Sequence, residues 1–377
     1  MVLASNRQPH FSAVSSIVVK LGTQLLSGKQ SRMDAAFLAD IARQVAELRR
    51  RKMIVTLVSS GAIASGMGEL GLAKRPTDLA KLQAVAAVGQ RRLMDHWATA
   101  FAPHKLAVAQ ILITRQDIDQ RQRFLNLRNT LLAIHELGAI PIINENDTVS
   151  TDELVKITFG DNDILAASVA HALRANLLVL LSVVDGLLDS NGAPVRLVRS
   201  IQEARTLVRT EKSAQGKGGM DSKLSAAKTV TDAGEAMVVA DGRMPNILTR
   251  IIAGEAVGTL FVAANPTGRK RPSRSRWIGA VQPAGKLIVD DGARSALVEK
   301  HKSLLPAGVT AVEGEFDAGD AVAIVGSDGN IIARGLCNYA AADVHRIAGK
   351  KSQDVANLLA DAKYDVVVHR DNLVMEL

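Results

Sequence analysis

Ala139-Ile140-Pro141-Ile142-Ile143-Asn144-Glu145-Asn146-Asp147 passes from an apolar run straight into four polar residues. An apolar run this short reads as a strand buried on both faces. The carboxylates and amides at its end are costly to desolvate and do little for a core. They belong where a polar ligand is oriented or a charged reaction is readied. A second polar cluster, Gly160-Asp161-Asn162-Asp163, opens the next apolar run.

Outward from this stretch the same alternation repeats. Ser16–Lys20, Met53–Val58, Leu106–Ile113, Ala139–Ile143, Leu177–Leu181 and Ala236–Ala240 read as strands. Asp34–Arg51, with Asp34 as N-cap, and Leu79–Phe101, Arg121–Leu137, Ile164–Leu173 and Met220–Ala233 read as helices. Repeated βα units with continuously apolar strands predict an α/β domain built on a mostly parallel sheet covered on both faces. Ligands of such sheets gather at the carboxyl ends of strands, and the polar clusters mostly stand there. Residues 268–276, Gly-Arg-Lys-Arg-Pro-Ser-Arg-Ser-Arg, carry five basic side chains and no apolar one, which reads as an exposed linker. Beyond it Lys286–Val289, Val309–Val312, Ala321–Val325 and Ile331–Leu336, separated by Gly and Asp turns, predict a small β-rich barrel with one or two helices. The expected division is a disordered extension at 1–13, the α/β domain at 14–264, a basic linker at 265–276 and the β-rich domain at 277–377.

The chain has 377 residues, 47% of them apolar and 22% charged, enough for two domains and a large core. Only 3% are aromatic, so that core is aliphatic. A single cysteine, Cys337, excludes an internal disulfide and a cysteine zinc cluster. No apolar stretch reaches the roughly 20 residues of a membrane span, and Met1–Ser16 lacks the pattern of a secretory signal, so a cytoplasmic location is expected. The net charge of +8 is unevenly spread. Residues 277–377 hold 10 Lys/Arg against 14 Asp/Glu, and the remainder holds 36 against 24. A basic excess on the larger part fits a phosphate-rich ligand as well as it fits nucleic acid, or it is a solvated surface.

Three segments offer phosphate chemistry. Lys20-Leu21-Gly22-Thr23 puts a lysine at a strand end beside a Gly-Thr turn, although a lysine there is often only solvated. Ser59-Ser60-Gly61-Ala62 joins a strand to a helix whose first N–H groups point at an anion, or is a plain capped turn. Gly216-Lys217-Gly218-Gly219-Met220-Asp221-Ser222-Lys223 reads as a glycine loop supplying N–H donors, with Lys223 one helical turn on and able to turn back to a transferring phosphoryl group. Asp161 and Asp163, two residues apart, address different partners: Mg2+, a lysine ammonium or a helix N-terminus. No Walker A motif, His-x-x-x-His pair, cysteine cluster or nucleophile elbow is present, which argues against a structural metal and a covalent intermediate.

Taken in order, Val18-Val-Lys-Leu-Gly-Thr23, Ser59-Ser-Gly-Ala-Ile-Ala-Ser-Gly66, Ile143-Asn-Glu-Asn-Asp147, Gly160-Asp-Asn-Asp163 and Gly216–Lys223 resemble the amino acid kinase family, and within it the branch that phosphorylates glutamate. The flanks Ala84–Gln90 and Arg123–Arg128 share the resemblance, and Arg276–Gly279 and His345–Ser352 resemble a PUA domain. The resemblance implies a three-layer kinase sandwich followed by a PUA-like barrel. It implies ATP and Mg2+ as cofactors, L-glutamate as substrate, proline as feedback inhibitor and a homo-oligomer. Through the PUA-like part it also raises RNA as a partner, against which the acidic balance of that part argues. Lys20 and Lys223 would hold the phosphates, and Asp163 would orient both. Ser60, Asp147 and Asn162 would hold glutamate, with Asp147 facing its ammonium. Lys217, Gly218, Gly219, Met220, Asp221 and Ser222, with Ser182 and Val183, would hold ATP. Two departures stand out. Ser182-Val183 occupies the place of a usual Thr-Asp, so the carboxylate contact there is lost. The Thr148–Phe159 segment is longer than the family's.

Overall fold

Runs of aliphatic residues, many of them β-branched, form the strands, as their fit to a pleated buried surface favours. In chain order these are β1 (Ser16–Leu21), β2 (Ile54–Ser59), β3 (Val108–Ile113), β4 (Ile140–Glu145), β5 (Leu177–Ser182), the short β6 (Leu187–Leu188), β7 (Pro194–Val195) and β8 (Leu197–Val198), then β9 (Ala236–Asp241) and β10 (Thr259–Phe261). The structure is a computed structural model that describes residues 7–27, 33–149, 162–210, 217–262, 277–279, 281–351, 354–355, 358–359 and 364–376. Gly160, Asp161, Gly216, the 265–276 linker and all but two residues of Thr148–Phe159 lie outside the described residues.

The helices of this part are α1 (Gln8–Phe11), α2 (Thr23–Leu26), α3 (Ala35–Arg50), α4 (Ala62–Glu69), α5 (Leu79–Phe101), α6 (Arg115–Asp119), α7 (Arg121–Glu136), α8 (Asn162–Leu173), α9 (Ile201–Thr210), α10 (Lys217–Asp232) and α11 (Ile247–Ile252). Asp34 caps α3 by accepting from the Phe37 N–H, as its position predicts. Eight strands form one sheet in the order β3-β4-β2-β1-β5-β9-β10-β8. The pairs are parallel except β9 with β10. Alternation along β1 sorts the two faces. Ile17, Val19 and Leu21 join a core shared with α3, α5 and α11. Lys20 points to the other face, where α8 lies. Helices on both faces make the three layers that the parallel pattern predicts.

Two glycines decide how α4 meets α5. A Cβ on Gly89 would stand 1.8 Å from the Ala62 carbonyl oxygen, and one on Gly66 would stand 1.9 Å from that of Val85. Only hydrogen fits, so the two helices touch backbone to backbone. This contact sets where the faces of α5 fall relative to the carboxyl ends of β2 and β4.

The N-terminal segment departs from expectation. From Arg7 onward it is packed rather than disordered. Phe11 joins the core, and Arg7 is 2% exposed. The Arg7 guanidinium donates to the carbonyls of Arg196, Val257 and Gly258. Those acceptors let an arginine replace its water shell with protein oxygen. Burial brings its pKa down to about 10, so it stays charged at neutral pH.

The chain forms two compact units, Met1–Arg269 and Lys270–Leu377. The second unit is a five-stranded sheet in the order β12-β11-β13-β14-β15, formed by β11 (Gly285–Val289), β12 (Val309–Gly314), β13 (Ala321–Val325), β14 (Ile331–Cys337) and β15 (Val368–Met375). The helices α12 (Asp291–Val298) and α13 (Ala341–Ile347) accompany it. Cys337 is buried, and burial pushes its thiol up to about 11, so it is a core residue and not a nucleophile. No helix among the described residues is long and apolar enough to cross a membrane.

The glycine contact is open to test. Gly89→Ala should lower stability in urea by about 1–3 kcal/mol, the usual cost of overpacking. Val88→Ala, at a position 37% exposed, should stay within about 0.5 kcal/mol of the parent. Equal stability of the parent and Gly89→Ala would mean that α4 and α5 do not meet as described.

Candidate active site

Lys20, Asp163 and Lys223 come from three distant parts of the chain and meet at one point. Lys20 stands one residue before the end of β1, Asp163 is the second residue of α8, and Lys223 lies in the second turn of α10. Lys20 Nζ lies 2.6 Å from Asp163 Oδ1, and Lys223 Nζ lies 2.9 Å from Oδ2. Lys223 also donates to the Gly219 carbonyl at 3.0 Å, turning back one helical turn as its spacing predicts. Asp163 is fully buried, and both lysines are buried. Burial alone would raise the Asp163 carboxyl. The charges of Lys20 and then Lys223, with their hydrogen bonds, outweigh it and hold the carboxyl below its ordinary range. Two ammonium groups share one carboxylate, so the trio carries one net positive charge.

Asn162 is the residue before Asp163, and successive helix residues point about 100° apart. While Asp163 faces the lysines, Asn162 faces a polar pocket of about 210 Å3 at the ends of β2 and β4. Asn162 Nδ2 donates to Ser60 Oγ at 2.6 Å and to Asn144 Oδ1 at 3.2 Å. Asn144 Nδ2 donates in turn to Gln90 Oε1 at 2.9 Å. Glu145 and Asp147 line the same pocket, with Thr23 from α2 and Arg75 as the one basic residue in the lining described. The turn that carries Ser60 requires glycine next, because Gly61 caps α4 at φ 104 in the left-handed region. Behind Ser60, Trp97 Nε1 donates to Ser59 Oγ at 3.1 Å, tying β2 to α5.

The glycine cluster differs from its reading as a loop. Helix α10 begins at Lys217, so Gly218 and Gly219 form its first turn, followed by Met220, Asp221 and Ser222. The N–H groups of that turn have no partner within the helix and remain suited to an anion. Ser222 Oγ lies 3.5 Å from Asp163 Oδ2. Ser182 ends β5, and Val183 follows it 42% exposed. Strand pairing places Ser182 beside Gly22, whose N–H reaches the Leu181 carbonyl. No hydrogen bond among the described residues joins Ser182 or Val183 to the three charged groups.

Sequence reasoning thus named six residues that stand in two touching groups: Lys20, Asp163 and Lys223, and Ser60, Asp147 and Asn162. It missed Gln90 and Arg75. The Gln90 amide directly after Gly89 and the basic Lys74-Arg75-Pro76 turn were the available signals. Among the described residues no group of three His, Cys, Asp or Glu side chains is arranged to hold a metal ion.

Asp163→Asn should destabilise the fold by about 3–5 kcal/mol at neutral pH, because two buried ammonium groups lose their anion. A lowered folded-state pKa contributes stability that is present above the unfolded value, near 3.8, and lost as pH falls through the folded one. Urea midpoints of the parent and variant should therefore converge below about pH 4. A gap that stays constant from neutral pH down to the acid limit of folding would remove the ion-pair account.

The pattern of the Amino acid kinase family matches residues 15–241, and that of the PUA domain matches residues 285–359. A protein of Pelobacter propionicus named Glutamate 5-kinase is 42% identical over 98% of this chain and 100% of its own. Proteins of the same name from Thermosynechococcus vestitus and Pseudomonas entomophila are 45% and 42% identical, over 96% and 95% of this chain and 99% and 97% of theirs. With that coverage added to the lysine–aspartate–lysine centre, this chain belongs to the amino acid kinase family.

Proposed function

We propose that this protein transfers the terminal phosphoryl group of ATP to the γ-carboxylate of L-glutamate, giving L-glutamyl 5-phosphate for proline biosynthesis. The observation that carries this reading is the adjacency of Asn162 and Asp163, one in the amino acid pocket and the next between two lysines. The pocket's lining supports an amino acid. Glu145 and Asp147 complement an ammonium, and Arg75 complements a carboxylate. A free ammonium near Asp147 disfavours an acetylated substrate. The acceptor carboxylate is already a nucleophile, so no general base is required. One of its oxygens bonds to the terminal phosphorus as the bond from that phosphorus to the ADP oxygen breaks.

Repulsion between the two anions is the main obstacle, and the surplus positive charge of Lys20 and Lys223 reduces it. The first turn of α10 offers N–H groups to the nucleotide's phosphates, and Ser182 can add one hydrogen bond where Val183 cannot. Bound Mg2+ would supply further neutralisation of phosphate charge. Both Asp163 oxygens are taken by lysines, which suits an ion carried in on the triphosphate rather than held in a protein cage. A cytoplasmic location, a homo-oligomer and inhibition by proline belong to the same proposal and rest on the resemblance to the family. RNA remains a partner to be tested for the PUA unit, by filter binding across salt.

Coupled assays of ADP release should show turnover that depends on glutamate and Mg2+, with N-acetylglutamate and aspartate as poor substitutes. No glutamate-stimulated turnover from folded protein would refute the assignment. Lys20→Ala and Lys223→Ala should each lower kcat by about 100-fold or more while the folded circular dichroism spectrum persists. Near-normal rates in both variants would overturn the roles given to the lysines.

A further inference from the structure

Gln90 is 7% exposed and does not line the pocket, yet it ends a chain of hydrogen bonds that does. The chain runs from Gln90 Oε1 to Asn144, from Asn144 to Asn162 and from Asn162 to Ser60. The two ends of a carboxamide have nearly the same shape, so only their partners fix which end is oxygen and which is nitrogen. An oxygen at Gln90 requires the Asn144 nitrogen to face it. The Asn144 oxygen must then face Asn162, which turns the Asn162 nitrogen toward Asn144 and Ser60. Asn162 Oδ1 is left as an acceptor beside the pocket. Ser60 Oγ, accepting from Asn162, keeps its own proton for donation. A reversed chain would offer the pocket the opposite set.

We propose that Gln90 is a positioning residue that sets the affinity for the amino acid substrate by fixing the polarity of the Asn144–Asn162–Ser60 chain. The backbone that carries it is held from two sides. The preceding residue, Gly89, is in backbone contact with α4, which begins at the pocket. Seven residues on, two turns along the same face of α5, Trp97 holds Ser59. One face of α5 therefore addresses both the end of β4 and the end of β2. This inference rests on the proposed glutamate reading for its kinetic readout alone.

The test compares Gln90→Met, which keeps the length but loses the acceptor, with Gln90→Glu, which presents oxygen at either end. For Gln90→Met the KM for glutamate should rise about tenfold, the size of one hydrogen bond to a binding group. The KM for ATP should stay within about twofold of the parent, and Gln90→Glu should stay within about threefold for glutamate. Three results would each overturn the proposal: an unchanged glutamate KM in folded Gln90→Met, an equal rise in both KM values, or Gln90→Glu as impaired as Gln90→Met. A second readout needs no turnover. In protein labelled with 15N-asparagine, Gln90→Met should move the side-chain NH2 signals of Asn144 and Asn162, assigned through Asn144→Asp and Asn162→Asp. Gln90→Glu should leave that of Asn162 in place. An Asn162 signal unmoved in Gln90→Met refutes the relay. Absent glutamate turnover in the parent would instead refute the substrate, leaving the NH2 signals to decide on Gln90.

Discussion

One buried carboxylate holds two lysines, and the rest of the kinase unit is arranged to keep it there. Asp163 draws Lys20 from β1 and Lys223 from α10 to within 2.6 Å and 2.9 Å. Removing three charges from water is expensive, and good geometry only partly offsets it. The fold tolerates that cost because the elements meeting at Asp163 are otherwise stabilised by apolar burial. Its helix, α8, buries Leu165, Ala166, Val169 and Ala170, and its neighbours β1 and β5 are aliphatic apart from Ser16, Lys20 and Ser182. The core thus fixes the positions of three groups that would not gather by themselves. What remains is one unit of positive charge at the carboxyl end of a parallel sheet, a surplus that a structural ion pair would not need.

The second constraint is steric. The Gly66–Gly89 contact lets two helix backbones touch, and only then can α5 reach the pocket's rear wall. Gln90 and Trp97 are the parts of α5 that make use of this closeness. One holds an amide at the end of β4, and the other holds a hydroxyl at the end of β2. A polar pocket needs such support because each of its groups has two or more orientations, and water would otherwise choose among them. Buried amides specify a geometry only when every partner is present.

Much of this was legible in the chain. Helix α5 begins and ends where its periodicity places it, and β1, β4 and β5 fall within two residues of their expected ends. Those elements combine a strong apolar pattern with a polar stop. Three others were not legible, for separate reasons. The first turn of α10 carries two glycines, which argue for a loop, but Lys223 bonds back to Gly219 and across to Asp163 and so ties that turn into the helix. Arg7 sits in a polar segment that reads as exposed, and its burial depends on carbonyls about 190 to 250 residues away. Strand β15 holds His369-Arg370-Asp371-Asn372 in its middle, so neither alternation nor apolar content announces it. Arg75 and Gln90 belong with these. Their significance lies in what they face, and a linear pattern does not record that.

The chemistry also explains what the pocket lacks. No histidine is among its described lining residues, and His135 is turned instead to Thr56 on β2, where burial and nearby Arg49 bring its pKa down to about 4. A kinase acting on a hydroxyl must remove a proton, and a base near the acceptor would then be expected. A carboxylate has no proton to remove at neutral pH. Its difficulty is the approach of one anion to another, which surplus cations and oriented dipoles relieve and a base does not. The acids of the pocket, Glu145 and Asp147, fit this division. They lie on the Asn162 side, where an ammonium can be matched, while Asp163 on the other side is already neutralised by its lysines. Under the proposed reaction the acids at the end of β4 stand away from the transferring group, and the adjacency of Asn162 and Asp163 on α8 separates binding from chemistry.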